Sequence, residues 1–338
     1  MARIGIEAPE DSTKLIKALE GIPQGITPVI FGPREQLRPL ESRIKIVDCP
    51  TTFSCEDTLA NRAKLRRSSI FKAIEHHSKG LVDVVLALNN TTGAIGATLG
   101  VFKKAKRYAQ RPCLVSTWPN HGFLADSGAT VDCTPQQLIE FAIMGTAYIE
   151  KILGKDSNPE IGLLTNGKEL TKGNRLIHET RKLLEEMREL GYNIPDHHYE
   201  PYDLLASKAE YPRLAVCDGY IGNITLKMAE HTFRFIAGEL KRRLLDGSII
   251  DKIAGWRLRN KLRSFKQEIE TGDHSTAPLL GIEKANILVC HGAAEPNTIE
   301  WAIKMANTRF GDFGITNYIK GKIGEYNEWK KNNCSSSL

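Results

Sequence analysis

I-G-L-L-T-N-G-K-E-L-T-K-G-N, Ile161 to Asn174, carries the chain from a short apolar run through a polar, glycine-containing loop to a residue suited to open a helix. Ile161 to Leu164 is too short for a helix and lacks polar alternation, the pattern of a strand buried on both faces. Helical spacing follows Asn174. Similar apolar runs occur at Arg3 to Ile6, Pro28 to Phe31, Ile44 to Val47, Val82 to Leu88, Leu114 to Thr117, Leu214 to Cys217 and Ile287 to Cys290. Helical patterns lie between many of them, so the sequence predicts an α/β fold with a mainly parallel sheet and helices on both faces.

The helix after Cys133 is the most fully specified. Thr134 is placed as N-cap, Pro135 at the first helical position and Gln137 as the second half of a capping box. Leu138, Phe141, Ala142, Gly145, Tyr148, Ile149 and Ile152 share one face, and Gly154 can end it. Similar helices are expected after Asn174 and Asn223. From about 238 to 273 the rhythm changes: apolar residues including Leu244, Ile249, Ile253, Trp256, Leu262 and Phe265 alternate with charge and no strand pattern intervenes. This segment is read as a basic, amphipathic helical protrusion from a single domain spanning 1–338, with a disordered, serine-rich tail at about 331–338.

With 338 residues, 41% hydrophobic and 25% charged, the chain can bury a full core. It has no apolar leader and no window of about 18 apolar residues, so a cytoplasmic protein is expected. Seven cysteines without a C-x-x-C pair suggest reduced thiols rather than a disulfide framework or zinc ribbon. The net charge is +6, yet Lys241 to Lys266 alone holds nine Lys/Arg against Asp246 and Asp251. Such a local field points to an acidic partner or an anionic surface rather than to nucleic acid.

Ligands of open α/β sheets bind beyond the carboxyl ends of strands, and four turns there are unusual. N-N-T-T-G-A-I-G-A, Asn89 to Ala97, offers Asn90, Thr92 and Gly93. The loop ending at Asn174 offers Lys172, Gly173 and Asn174; C-D-G-Y-I-G-N, ending at Asn223, offers Asp218, Gly219 and Gly222; C-H-G-A-A, from Cys290, offers His291 and Gly292. Small residues, exposed amides and helix N-termini together favour anions, so these turns form a candidate phosphate-binding edge. The plainer alternative is that the glycines only let strands turn into helices. Neither G-x-x-x-x-G-K-S/T nor a G-x-G-x-x-G after the first strand is present, so no nucleotide cofactor is expected. Cys133, Cys217 and Cys290 lie near strand ends but are read as small buried hydrophobes. Arg62, Lys64, Arg66 and Arg67 are read as a solvated helix face, and His76-His77 and His197-His198 as neighbours that do not face one ligand.

From Asp126 to Asn223 the motifs D-S-G-A-T-V-D-C-T-P-Q-Q-L-I-E-F-A-I-M-G, I-G-L-L-T-N-G-K-E-L-T-K-G-N and V-C-D-G-Y-I-G-N-I-T-L-K resemble the bacterial acyl-carrier-protein:phosphate acyltransferases, the PlsX family. N-N-T-T-G-A upstream, and A-P-L-L-G and C-H-G-A-A downstream, extend the likeness in the same order. It implies a three-layer α/β/α sandwich, Rossmann-like in the manner of isocitrate and isopropylmalate dehydrogenases. It further implies a homodimer without metal, in transient contact with the inner membrane surface. The activity implied is transfer of a fatty acyl group from acyl carrier protein, or acyl-CoA, to inorganic phosphate, giving acyl phosphate for phospholipid synthesis. Lys172 and Asn223 match positions important to catalysis in that family; Asn223 is also a suitable N-cap. We assign Lys172 to phosphate, Asn223 to the oxyanion and His291 as a proton carrier. Where the family has D-A-M-G-G-D this chain has E-A-P-E-D-S, Glu7 to Ser12, and acidic residues there would repel phosphate if the loop faced it. Alternatives are a short-chain acyl-CoA:phosphate acyltransferase, which the basic segment disfavours, and a relative that only binds a partner.

Overall fold

Every residue of β4 (Val84–Ala87), β5 (Cys113–Trp118), β9 (Thr276–Leu280) and β10 (Ile287–Cys290) is buried, so both faces of the sheet need cover. The remaining strands are β1 (Arg3–Glu7), β2 (Thr27–Gly32), β3 (Lys45–Asp48), β6 (Gly122–Ala125), β7 (Glu160–Leu163) and β8 (Arg213–Val216). The structure is a computed structural model and describes residues 2–22, 25–54, 56–103, 107–118, 121–205, 211–246, 276–290 and 295–334.

One ten-stranded sheet has the order β3-β2-β1-β4-β10-β9-β5-β6-β8-β7. One face is covered by α1 (Ser12–Glu20), α6 (Pro135–Leu153), α7 (Arg175–Glu186), α9 (Pro296–Arg309) and α10 (Gly314–Cys334). Opposite lie α3 (Arg62–Arg67), α4 (Ser69–Ser78) and α5 (Thr91–Val101) over one half and α8 (Gly219–Asp246) over the other, while α2 (Arg34–Leu37) adds Leu37 to the first face. Alternation within strands divides the layers: Val84 and Leu86 face the first cluster, Val85 and Ala87 the second. The predicted three layers are therefore present. Thr134 and Gln137 form the expected capping box of α6, Pro135 occupies its first turn and Gly154 ends it at φ +105°.

Strand direction is where the structure departs from a simple parallel sheet. β3, β2, β1, β4 and β10 run one way, and β6, β8 and β7 run parallel to each other in the opposite sense, because β9 and β5 enter antiparallel between the two sets. The carboxyl ends of the two sets therefore lie on opposite edges. This corrects the picture of one phosphate-binding edge: the carboxyl ends of β4 and β10 lie on one edge, those of β7 and β8 on the other.

Helix boundaries also differ from expectation. α8 begins at Gly219, four residues before Asn223, and Asp218 takes the cap by accepting the Ile221 N–H at 2.8 Å. Lys331 to Cys334, assigned above to the tail, continue α10; residues 335–338 lie outside the described residues. α8 contains 238–246 of the basic segment, and the rest of that segment, with Trp256 and Phe265, also lies outside them.

Candidate active site

β6, β8 and β7 are neighbours in register, Ala125 and Leu163 both pairing with Val216, so the turns that follow them share one corner. Asp126 organises it. Its side chain is fully buried and accepts N–H groups from Leu114 (2.8 Å), Gly128 (3.1 Å), Ala129 (3.0 Å) and Thr130 (2.6 Å). Burial pushes its carboxyl up to about 6, while those four hydrogen bonds pull the other way. The loop so wound accepts the Gly219 N–H at the Thr130 carbonyl, 2.8 Å, and fixes the start of α8. A Cβ at Gly222 would lie 1.8 Å from the Asp126 carbonyl oxygen, so only glycine lets the helix approach this closely.

Asn223 follows Gly222 and is exposed, with no hydrogen bond to its side-chain amide among the described residues. It lies beside Gly128, whose φ of +141° suits glycine and whose missing Cβ would be 3.5 Å from the Asn223 Cβ. Because Asp218 caps the helix, capping does not account for Asn223. Across the corner, Asn174 caps α7 by accepting the Ile177 N–H at 3.1 Å, and Gly173 precedes it at φ +101°, where a Cβ would be 2.6 Å from Ile177 Cγ2. Lys168 in this loop is committed to buried Asp203 at 2.9 Å and to the Tyr202 ring. Lys172 is exposed and no ion pair engages it among the described residues. The turns after β7 and β8 thus carry an unengaged ammonium and an unengaged amide, each close to a helix N-terminus, a setting that favours an anion.

The remaining expected site residues are elsewhere. Asn90 caps α5 by accepting the Gly93 N–H at 2.8 Å and donates to the Ser54 and Asp57 carbonyls at 2.6 and 3.3 Å, so its side chain is committed to the loop. Gly93 is glycine because Phe53 packs where a Cβ would stand, 2.5 Å from Phe53 Cδ1. Thr92 is exposed in the first turn of α5. His291 and Gly292 lie outside the described residues. Asp126 and Gly128 were not among the expected residues, although D-S-G-A-T stands within the motifs that suggested the family.

The acidic first loop takes a shape that the sequence does not announce. Glu7 is buried and accepts N–H groups from Leu88 (3.0 Å) and Asn89 (3.3 Å) and the Ser69 hydroxyl (3.4 Å). Asp11 caps α1 through the Thr13 N–H, and exposed Glu10 donates its own N–H to Asn89. Glu7 is raised by burial to about 7. A raised folded value means that stability is full below the unfolded carboxylate range and is lost as pH climbs through about 7. Glu7→Gln should therefore gain on the parent by up to about 3 kcal/mol between pH 5 and 8, from a shift of about 2.5 units at 1.36 kcal/mol each. Urea unfolding at both pH values checks this; parallel curves for the two proteins would refute it.

Burial holds the thiol of Cys217 well up, and those of Cys133 and Cys290 at about 12, so none is an available thiolate nucleophile. His77 is structural: one ring nitrogen meets the Val82 carbonyl and the other the Asn286 N–H, each at 3.0 Å. Among the described residues no cluster of three or more His, Cys, Asp or Glu could hold a metal ion, and no helix is long and apolar enough to cross a membrane.

Residues 11–314 match the model of a family described as fatty acid synthesis protein. A phosphate acyltransferase of a Sulfurovum species is 31% identical over 341 residues, covering 96% of this chain and 99% of its own. One from Helicobacter hepaticus is 31% identical over 323 residues, covering 90% and 92%. Among solved structures, the EutD phosphotransacetylase of Staphylococcus aureus aligns over 94% of both chains with a TM-score of 0.54 at 13% identity. A branched-chain phosphotransacylase of Enterococcus faecalis gives 0.51 at 12% identity, over 95% of this chain and 99% of its own. At these identities the structural likeness concerns the fold.

Proposed function

The chain belongs to the fatty acid synthesis protein family, whose similar curated members are phosphate acyltransferases, and on that premise we propose that it transfers an acyl group from a thioester to inorganic phosphate at the corner formed by Lys172 and Asn223. The observation that carries this assignment is Asn223 itself, exposed one turn into α8, free of a capping duty and held in place by the Gly222 contact.

Phosphate is the nucleophile, so no acyl-enzyme is needed. One of its oxygens attacks the thioester carbonyl, forming a C–O bond; the C–S bond then breaks, and the phosphate proton is balanced by the thiol that leaves. A thiol with a pKa near 8.5 departs without a strong general acid. The protein's work is positioning and electrostatics. Lys172, with the amides at the start of α7, holds phosphate, and Asn223 Nδ2 donates to the carbonyl oxygen as charge builds there.

Lys172→Ala removes a positive charge beside phosphate and should raise the phosphate KM more than it lowers kcat, because ground state and transition state both carry that charge. Initial rates at varied phosphate check this, and an unchanged phosphate KM would remove Lys172 from the site.

The basic segment favours an acidic carrier protein over CoA as acyl donor, and an anionic membrane surface as a transient neighbour. A homodimer accounts for the apolar face of α8, where Tyr220, Ile224, Met228, Phe235 and Ile236 are exposed to between 46% and 73%. Light scattering at micromolar concentration should give twice the chain mass; an active monomer would defeat this.

A further inference from the structure

Loop 165–174, which carries Lys172, lies on a floor that the chemistry above does not use. The Thr165 N–H donates to the Tyr199 carbonyl at 2.8 Å and the His198 N–H to the Lys168 carbonyl at 2.9 Å, so residues 198 and 199 run beside the loop as an extension of the β7 edge. Tyr199 packs its ring with Leu164 in the cluster under α8. His198, adjacent in an extended segment, faces the other way, towards α7.

Arg181 of α7 is near enough to act on it electrostatically. His198 is fully buried and Arg181 is 6% exposed. Arg181 commits Nε to Glu185 at 2.8 Å, but Nη1, Nη2 and both ring nitrogens of His198 lack a hydrogen bond of ordinary geometry among the described residues. The imidazole still interacts with the backbone carbonyl of Leu170, two residues before Lys172. Buried side chains with unclosed donors are uncommon in folded proteins, and His198 is tied directly to the loop that carries Lys172.

We propose that His198 and Arg181 are positioning residues for Lys172: His198, tied to the loop through the Lys168 carbonyl, supports it from below at Leu170, and the buried Arg181 completes that floor. Burial first, and Arg181 next, hold His198 below the usual histidine range. The groups that face His198 are Arg181 and His178 from α7, His197 from its own segment and the Leu170 carbonyl from the loop, with no carboxylate among them. Asp196, the nearby acid, is exposed and bonded to Arg188. A neutral His198 therefore has no counter-charge to lose, and the loop keeps one geometry across the neutral range.

This inference rests on the assignment of Lys172 to phosphate, and the test separates the two. His198→Ala should raise the phosphate KM about tenfold with little change in kcat, the scale of one hydrogen bond's net worth, while His198→Gln, a neutral donor of similar reach, should recover most of the loss. Arg181→Met should add a pH step to the phosphate KM between pH 6 and 8 that the parent lacks, and His198→Gln in that background should remove it. If His198→Ala and Arg181→Met leave the phosphate KM and its pH profile as in the parent, or lower only the melting temperature, the positioning role is overturned. If Lys172→Ala itself leaves the phosphate KM unchanged, the fault lies in the Lys172 assignment instead.

Discussion

Asn223→Ala should lower kcat by a factor of about 100 to 1,000, since removal of one donor to a developing oxyanion typically costs about 3 kcal/mol. The melting temperature should not fall with it. Asn223 lies inside α8, exposed and without a side-chain hydrogen bond among the described residues, and the cap belongs to Asp218. Alanine is the better helix former at such a position by a few tenths of a kcal/mol, so stability should hold or rise slightly. Asp218→Ala should show the contrasting pattern, a loss of about 1 kcal/mol of stability as the helix start loses its acceptor. Steady-state rates together with thermal melts of both variants decide the matter. Parent-like turnover in Asn223→Ala would show that the corner's amide touches nothing that reacts.

Gly222→Ala is expected to have the largest effect on the fold. The new methyl would stand 1.8 Å from the Asp126 carbonyl oxygen, a backbone atom held by the surrounding loop, so either α8 or the Asp126 loop must move. Overpacking of this kind costs about 3 kcal/mol or more, and the displacement would carry Asn223 with it. Activity and stability should therefore fall together. Gly238, in the same helix with open space around its Cα, supplies the comparison: Gly238→Ala should stabilise by up to about 1 kcal/mol through helix propensity alone. Chemical denaturation of the two variants measures the difference, and equal stabilities would mean that α8 does not dock on Asp126 as described.

The layers were legible because β4 and β10 are unbroken apolar runs, and α6 because Thr134, Pro135 and Gln137 mark its start unambiguously. The sheet's change of direction was not. It depends on β9, which contains Pro278 and so looks like a turn, and on β6, four residues of G-F-L-A that give no periodicity to read. Without those two strands the four turns appear to share one edge. The start of α8 was ambiguous for a different reason: Asp218 and Asn223 are both good caps, and the choice is made by Gly222 packing on Asp126, some 96 positions earlier in the chain. Asp126 stands out only when its four N–H partners are assembled, since a single buried carboxylate has no sequence period. The acidic first loop, which on sequence suggested repulsion of phosphate, resolves into a helix cap at Asp11 and a buried carboxyl at Glu7.

The most direct measurement is hydroxylamine trapping of acyl phosphate, with free thiol followed in parallel, using acyl carrier protein and CoA thioesters of one fatty acid side by side. The account predicts that, above the direct reaction of hydroxylamine with the thioester measured without enzyme, acyl hydroxamate and thiol appear in equal amounts, only when enzyme and inorganic phosphate are both present, and faster from the carrier-protein thioester. Enzyme-dependent thiol release that does not depend on phosphate, or no enzyme-dependent hydroxamate from either donor, would contradict it.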